Sequence, residues 1–326
     1  MVSAVATSVD RHPAPEPARP VSLSHRAEYG ALRATIGVLG AMRWERAVRA
    51  GEQLGLLGYR PFGVRRRVVE RQIAAAFPEL TGREVDAIAR ASYAHLGRLA
   101  VEAALLPRLG ARDVLDLVDE VQGWDVVERL LAQGRGLIVT TGHLGNWEIA
   151  GAFVAARGIR VDAVARRMGN PLFDGYLTRT RSRLGMVVVP DRDAVRRTPR
   201  TLKAGGTVAF LTDQAGLNLA STFVPFFGRP AKTPRGPAVF ALRLGAPMMF
   251  GAALRKPNGR YRLVVEEVPV HDSGDRERDV EDVVARYTRV LERWVRVAPE
   301  QYFWQHRRWK QQPDDTPPQL RDPTRV

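Results

Sequence analysis

The sequence predicts an α/β fold in which a layered sheet, flanked by helices, follows a helical region. Two observations favour this fold. Apolar residues recur with helical spacing in residues 26–110, and after Gly134 short β-branched runs alternate with helical stretches. The 326 residues, 45% of them hydrophobic and 26% charged, can bury a sizeable core. We therefore expect one large folded unit.

The amino-terminal part divides into a leader and a helical region. Residues 1–25 carry four prolines and lack the apolar core of a signal peptide, so we expect a disordered leader. Residues 26–110 are expected to form a membrane-associating region. It begins with a basic amphipathic helix or helix pair over Glu28–Leu57, and helices over Gly63–Ala76 and Arg83–Leu106 follow. The first stretch suits either a membrane interface or packing against the domain, and periodicity does not distinguish them. No apolar run reaches about 18 residues, so no transmembrane helix is expected.

The α/β domain is predicted over residues 111–312. Its predicted strands are Leu137–Thr141, Val161–Ala165, Met186–Val189, Val208–Thr212, Met248–Leu254 and Arg262–Glu267. The predicted helices are about Trp147–Ala156, Leu172–Leu184, Ala194–Ala204, Gly236–Leu244 and Glu277–Val297. Residues 313–326 are rich in proline and aspartate, so we expect a disordered tail.

Charge and cysteine content limit the partners and the chemistry. The formal net charge is +15, carried by 46 arginines and 4 lysines. Such a charge favours nucleic acid, anionic lipid head groups or an acidic carrier protein, although the arginine skew is also typical of a GC-rich genome. The absence of cysteine excludes disulfides, cysteine metal sites and a cysteine nucleophile.

One segment has the pattern of a catalytic site. The apolar strand Leu137–Thr141 runs into the turn GHLGNWE, which opens a helix. Open α/β sheets bind ligands at the carboxyl ends of strands, and a helix N-terminus offers free backbone N–H groups. His143 can act there as general base and then general acid, with Glu148 folding back to hold the imidazole. Asn146 as an N-cap and Glu148 in a first helical turn also have ordinary structural explanations.

The segment from His143 to Glu148 resembles the His-x4-Asp/Glu motif of glycerolipid acyltransferases. Further segments, in matching order and spacing, resemble the lipid A biosynthesis lauroyl/myristoyl acyltransferase family of the lysophospholipid acyltransferase superfamily. They are RRRVVERQIAAAFPEL, ARRMGNPLFDGYLTRTRSRL, Asp213-Gln214 followed by FVPFFGRPAKT, and PEQYFWQHRRWK. The likeness spans about residues 50–310. The short motif alone would be weak, because it occurs often by chance.

The resemblance implies a glycerolipid-acyltransferase-like central mixed sheet and an acyltransferase at the cytoplasmic face of the inner membrane. The implied donor is an acyl carrier protein or CoA thioester, and the acceptor is a lipid hydroxyl. A lipid A precursor is preferred, with a phosphatidylinositol mannoside or an aminolipid as alternatives. Arginines interrupt residues 28–57, where relatives often carry a strongly apolar segment, so peripheral or shallow attachment to an anionic surface is favoured. No cofactor and no metal ligand are expected.

The predicted catalytic residues are His143 and Glu148. The predicted substrate-binding residues are Gly145, Asn146, Arg166, Arg167, Asp213, Gln214, Phe226 and Phe227. The two arginines are expected near phosphate or the donor, and the Asp-Gln pair in the site or in a structural loop. The phenylalanines are expected in an acyl channel or in ordinary core. The oxyanion is expected on N–H groups of the turn or on a nearby arginine. Because no Gly-x-Ser-x-Gly elbow is present, direct transfer within a ternary complex is favoured.

Three other functions are weaker. A nucleic-acid-binding protein would explain the charge, but the basic residues are scattered and no zinc-finger spacing is present, so no nucleic-acid partner is expected. A metallohydrolase would need a second histidine close to His143. A catalytically inactive membrane scaffold disagrees with the intact His143 and Glu148.

Overall fold

The computed structural model describes residues 19–214 and 220–325. Within these ranges the helices are α1 (Leu23–Gly40), α2 (Trp44–Tyr59), α3 (Arg66–Ala76), α4 (Gly82–Leu105), α5 (Ala111–Leu117), α6 (Trp124–Leu131), α7 (Trp147–Ala156), α8 (Pro171–Arg183), α9 (Ala194–Lys203), α10 (Gly236–Leu244) and α11 (Arg276–Val297). The strands are β1 (Val118–Gln122), β2 (Leu137–Thr141), β3 (Val161–Ala165), β4 (Met186–Pro190), β5 (Thr207–Leu211), β6 (Ser221–Phe226), β7 (Arg229–Pro234), β8 (Met248–Arg255) and β9 (Tyr261–Val268). Short 3₁₀ helices cover Pro299–Gln301 and Pro318–Leu320.

Seven strands form one mixed sheet in the order β1-β9-β8-β2-β5-β3-β4. Neighbouring strands run parallel, except that β8 and β9 are antiparallel. Strands β6 and β7 form a separate antiparallel hairpin. This architecture confirms the predicted α/β fold with a mixed sheet and flanking helices. Because β2 lies in the middle of the sheet, the turn that follows it opens at the centre of one sheet edge.

The sheet has a hydrophobic core on each face, because successive strand residues point to opposite sides. In β8, Met248 and Phe250 belong to one core, whereas Met249 and Ala253 belong to the other. The first core lies under α10, α11 and the β6–β7 hairpin, and the second under α5, α6 and α7. Burial on both faces explains the continuous apolar runs of the central strands.

Helices α2 and α4 pack backbone to backbone in the amino-terminal region. A Cβ atom added at Gly55 would lie 2.0 Å from the carbonyl oxygen of Tyr93, and one added at Gly97 would lie 2.0 Å from that of Gly51. Helix α4 continues to the sheet edge, where it contacts the 3₁₀ helix Pro299–Gln301. None of the helices in the described ranges is long and apolar enough to cross a bilayer.

The described chain departs from the prediction at several places. The leader prediction for residues 1–18 lies outside the described residues. Helix α1 begins at Leu23, inside the expected leader, because Ser22 caps it by accepting a hydrogen bond from the His25 N–H at 3.1 Å. Strand β1 was not predicted, because it is an edge strand with three exposed residues. The β6–β7 hairpin was not predicted, because Pro225 and Pro230 are unusual within strands.

The carboxyl-terminal tail, whose composition suggested disorder, is described as far as Arg325. Asp322 pairs with Arg307 at 2.5 Å, and the Gln312 side chain donates to the carbonyl oxygen of Leu320 at 2.8 Å. Polar contacts with the domain therefore hold a segment that has little apolar surface to bury.

Candidate active site

The carboxyl ends of β2 and β5 lie side by side. Thr141 of β2 is in register with Leu211 of β5, and the Thr212 N–H donates to the Thr141 carbonyl oxygen at 2.8 Å. His143 and Asp213, which follow these strands, therefore meet although they are 70 positions apart in the sequence. This is the edge at which open α/β sheets bind their ligands.

Asp213 holds His143 by its backbone and by its ring. The His143 N–H donates to Asp213 Oδ2 at 3.0 Å, and the imidazole Nδ1 lies 2.8 Å from Oδ1. An ionised carboxylate only accepts hydrogen bonds, so Nδ1 carries the proton and Nε2 is the basic nitrogen. The pair has the tautomer that a histidine general base requires.

The surroundings of Asp213 keep its carboxylate ionised. Asp213 is buried, and burial alone would raise its pKa. The charge and hydrogen bonds of His143 outweigh burial and lower the pKa of Asp213 to about 2, with a smaller contribution from the charge of Arg308. Arg308 is itself buried and donates to Thr233 Oγ1 and the Lys232 carbonyl oxygen, both at 2.6 Å.

Aromatic side chains flank the imidazole of His143. Its ring meets Trp147 edge to face, with centroids 4.7 Å apart, and lies tilted against Phe303 at 5.9 Å. The Gln214 side-chain amide lies 3.2 Å from Nδ1, so both members of the predicted Asp-Gln pair contact the ring. The His143 side chain is 21% exposed, which leaves the ring accessible while its neighbours shield most of it from water.

Glu148 does not contact the imidazole in the way we expected. Its carboxylate accepts hydrogen bonds from Arg181 Nε at 3.0 Å and Nη2 at 2.5 Å. The hydrogen bond to the imidazole that we predicted for Glu148 is instead made by Asp213. The physical reason is charge balance: Glu148 is buried, and the paired guanidinium satisfies both of its oxygens, whereas a second carboxylate on one imidazole would be uncompensated.

The backbone N–H groups around the turn are already engaged. Those of His143, Gly145 and Asn146 donate to a carboxylate and to two carbonyl oxygens, at 3.0, 3.0 and 2.8 Å. Those of Glu148 and Ile149 donate to the side chain of Asn146, at 3.1 and 3.0 Å. We expected free N–H groups at the N-terminus of this helix, but Asn146 caps α7 and accepts hydrogen bonds from two of them. These five N–H groups are therefore engaged within the protein and not available to an oxyanion.

Gly145 and Asn146 build the turn. Gly145 has a φ of +62°, and a Cβ atom there would lie 2.0 Å from the carbonyl oxygen of Ala253. Asn146 is completely buried. We expected both residues to approach substrate, but Gly145 packs against the backbone of Ala253 and the Asn146 side-chain amide contacts Glu102 and Tyr261.

Comparison with known proteins agrees with this arrangement. Residues 28–311 match the bacterial lipid A biosynthesis acyltransferase family. The chain belongs to that family. It is 29% identical to the lipid A biosynthesis lauroyltransferase of Escherichia coli (strain K12) over 273 residues, which cover 82% of this chain and 87% of the relative. It is 28% identical to the palmitoleoyltransferase of the same organism over 270 residues, 81% of this chain and 84% of the relative.

A second kind of relative is a phosphatidylinositol mannoside acyltransferase of Mycobacterium tuberculosis (strain ATCC 25618 / H37Rv). It is 29% identical over 170 residues, which cover 50% of this chain and 53% of the relative. Both kinds of relative are acyltransferases, and so is this enzyme.

The remaining predicted site residues of this acyltransferase lie in two places. Arg166 and Arg167 are exposed after β3, next to β5 at the same sheet edge, and Arg167 lies 3.5 Å from Asp174. Phe226 and Phe227 are buried in an aromatic cluster with Phe77, Tyr302, Trp304 and Trp309. Their contacts are those of ordinary core, the second of the two roles that we expected for them.

Sequence reasoning missed three residues that interact with the predicted site residues: Arg181 with Glu148, and Tyr302 and His306 with Asp213. The Tyr302 hydroxyl hydrogen-bonds to Asp213, and burial raises its pKa. Burial lowers the pKa of His306 to about 4, and the charges of Asp213 and His143 also act on this ring. All three residues lie in segments that carry the family resemblance, which is the signal that could have identified them.

An open cavity of about 560 Å³ lies between the β6–β7 hairpin and the carboxyl-terminal segment, and neither His143 nor Asp213 is among its lining residues. Its basic lining residues are Lys232, Lys310, Arg321 and Arg325, and its acidic lining residues are Asp314 and Asp322. The charge of Lys310 contributes to the lowered pKa of His306, for which burial is the main cause. Within the described residues, neither Lys232 nor Lys310 forms an ion pair.

Proposed function

We propose that this enzyme moves a fatty acyl chain from an acyl carrier protein or CoA thioester to a hydroxyl group of a glycolipid, with His143 as general base. The observation that carries the proposal is the imidazole at the central sheet edge, with Asp213 on Nδ1. Among the described residues, none hydrogen-bonds to Nε2, so this nitrogen can accept the proton of the acceptor.

The reaction follows from this arrangement. Nε2 takes the hydroxyl proton while the acceptor oxygen bonds to the thioester carbonyl carbon, and Asp213 stabilises the imidazolium. When the tetrahedral intermediate collapses, the carbon–sulfur bond breaks and the imidazolium returns its proton to the leaving thiolate. The products are an ester and a free thiol. This direct transfer needs neither an acyl-enzyme nor a cofactor.

We assign the oxyanion to Arg181. Glu148 occupies its Nε and Nη2, and Nη1 is the donor that remains for a developing negative charge. The Arg181 side chain is 19% exposed. Glu148 would then act in catalysis by holding Arg181, which retains the predicted importance of Glu148 with a different partner.

We propose a lipid A precursor as the first acceptor to test, with a phosphatidylinositol mannoside or an aminolipid as alternatives. The relatives named above support a glycolipid acceptor of either kind. The basic cavity supports a phosphate-bearing substrate, because Lys232 and Lys310 can provide charge to an anionic group there.

We further propose that the enzyme docks peripherally on the anionic cytoplasmic face of the membrane. Phe62 and Val64, in the loop between α2 and α3, are exposed, as are Arg65 and Arg67 beside them. Leu57, at the end of α2, is also exposed. Apolar side chains flanked by arginines suit the boundary between acyl chains and phosphates.

The function is tested by transfer of labelled acyl groups from acyl carrier protein or CoA to purified lipid A precursor, phosphatidylinositol mannoside and aminolipid. We expect transfer to one acceptor, and we expect His143→Ala to lower kcat by about 10²- to 10⁴-fold. Unfolding curves confirm that the variant is folded. Transfer that survives His143→Ala would rule out the general-base mechanism, and no transfer to any lipid would rule out the proposed acceptors.

Membrane docking is tested with phosphatidylglycerol-containing vesicles. Val64→Asp should weaken binding by roughly tenfold, since it places a negative charge among apolar contacts. Val195→Asp is the control, because Val195 is 71% exposed against 56% for Val64 but lies on α9. Equal binding by both variants and the unmodified enzyme would exclude the loop between α2 and α3 as the membrane-docking surface.

A further inference from the structure

Two side chains of helix α4 contact the turn that follows β2 and carries His143. His95 and Glu102 are seven residues apart, so they lie on one face of the helix. The His95 Nε2 lies 3.1 Å from the carbonyl oxygen of Gly145, and Glu102 Oε2 accepts a hydrogen bond from Asn146 Nδ2 at 2.9 Å. A carbonyl oxygen only accepts, so His95 Nε2 carries a proton and donates it. The helix therefore holds two consecutive residues of the turn.

The contact with Glu102 belongs to a buried polar network. The Glu102 side chain is completely buried and forms an ion pair with Arg255. The Tyr261 hydroxyl donates to the same Glu102 oxygen at 2.6 Å and lies 3.2 Å from Asn146 Nδ2. Asn146, Tyr261 and Arg255 all contact Glu102 Oε2, whereas Glu102 Oε1 and Arg255 Nε have no hydrogen-bond partner among the described residues. The arrangement therefore depends on this one oxygen, because losing a donor to a buried carboxylate is costly in a low dielectric.

This network decides which way the Asn146 amide points. Glu102 can only accept from it, so the amide nitrogen faces Glu102 and the amide oxygen faces α7. The oxygen accepts from the N–H groups of Glu148 and Ile149, which fixes the first turn of the helix. His143 and Glu148 are thus held between Gly145 and Asn146 on one side and Asp213 and Arg181 on the other.

We infer that His95, Glu102 and Tyr261 are positioning residues that place the His143 turn for acyl transfer. Helix α4, from the region that we predicted to associate with the membrane, is then part of the catalytic apparatus. This inference depends on the proposed role of His143 only in the experiment that measures acyl transfer.

The variants are chosen to remove single contacts. Tyr261→Phe removes one hydroxyl from the network, and His95→Met removes the donor to Gly145. His95→Gln is the rescue, because its amide can replace the imidazole N–H. Tyr59→Phe is the matched control: Tyr59 is also buried and donates to two carboxylates, but these are Glu70 and Asp86, away from the turn.

We expect Tyr261→Phe and His95→Met to lower kcat by about 10- to 100-fold, because a small misplacement of a catalytic group has effects of this size. KM for donor and acceptor should change less than twofold. His95→Gln should recover most of the rate, and Tyr59→Phe should retain it at a comparable loss of thermal stability. Unchanged kcat in both folded site variants would show that the network serves stability alone.

A second readout does not depend on transfer. The His143 Nδ1–H proton, which forms the hydrogen bond to Asp213, can be followed by NMR in ¹⁵N-histidine-labelled enzyme. Its resonance should shift or broaden in Tyr261→Phe and His95→Met but not in Tyr59→Phe. An unchanged resonance in all three would overturn the inference, whereas a shifted resonance in an enzyme whose transfer survives His143→Ala would retain it and reject only the proposed mechanism.

Discussion

The end of β2 and the end of β5 meet at the same sheet edge, but their acidic residues have different partners. Glu148, five positions after His143, pairs with Arg181 of α8. Asp213, 70 positions away, binds the imidazole and the backbone of His143. The carboxylate nearer in sequence is not the one that orients the base. The comparison teaches that proximity along the chain is a poor guide to a charge partner when strands bring distant residues together.

The largest expected effect is on kcat, and it distinguishes Asp213 from Glu148 by their action on the His143 imidazole. Asp213→Asn should lower kcat by about 10²- to 10⁴-fold, because an amide can donate to Nδ1 and favour the tautomer with the proton on Nε2. Glu148→Gln should not change the tautomer. Single-turnover transfer together with ¹⁵N chemical shifts of His143 measures both effects.

Two results would break the comparison between these regions. A normal tautomer in Asp213→Asn would mean that Gln214 or another neighbour orients the ring. An altered tautomer in Glu148→Gln would restore the orienting role to Glu148. The chemical shifts of His95 serve as the internal control, since neither acid contacts that ring.

The next effect concerns stability. Glu148→Ala should lower the free energy of unfolding by about 3 kcal/mol, the lower end for a buried pair, because it leaves the partly buried guanidinium of Arg181 without its carboxylate. The double variant Glu148→Leu with Arg181→Met should recover most of this loss but should not recover transfer. Urea unfolding and the acyl-transfer assay measure the two quantities on the same preparations.

The double variant sharpens the comparison because it separates folding from chemistry. Recovery of both stability and transfer would show that the Glu148–Arg181 pair is purely structural, and another group would then hold the oxyanion. Loss of stability that the double variant does not recover would show that the pair contributes more than charge balance.

The smallest expected effect is a pH dependence of stability, caused by His95, which contacts the turn at Gly145. Burial lowers the pKa of His95 to about 4 in the folded enzyme, below the value of about 6.5 for an unfolded chain. Between these values the unfolded chain binds the extra proton, so stability is lost as pH falls from about 6.5 to about 4. The contribution approaches about 3 kcal/mol, and His95→Gln should remove it.

Urea unfolding of the unmodified enzyme and His95→Gln across this range measures the difference. The pKa of His306 is also lowered to about 4, and subtraction of the two curves cancels its contribution. Parallel curves would contradict the burial of a neutral His95 against Gly145.

The elements that the sequence predicted well are those with local signals. Strands β2 and β3 and helices α7 and α10 have the predicted bounds. A glycine follows β2 and α10, an asparagine caps α7, and arginines flank the short apolar run of β3. Edge strand β1 and the proline-containing hairpin were missed, because the sheet and not the local pattern stabilises them. In the site, His143 was recognised at the end of its strand, and Asp213 was named without its partner.

The sequence by itself determined the fold class, the family and the histidine at the centre of the sheet edge, because periodicity and motif order are properties of neighbouring residues. Only the tertiary structure decided that Asp213 orients His143, that Arg181 takes Glu148, and that His95 and Glu102 of α4 hold the turn. Buried charges and N–H groups must be satisfied by whatever the fold brings within hydrogen-bonding distance. That distance depends on strand order and helix packing, which spacing along the chain does not specify.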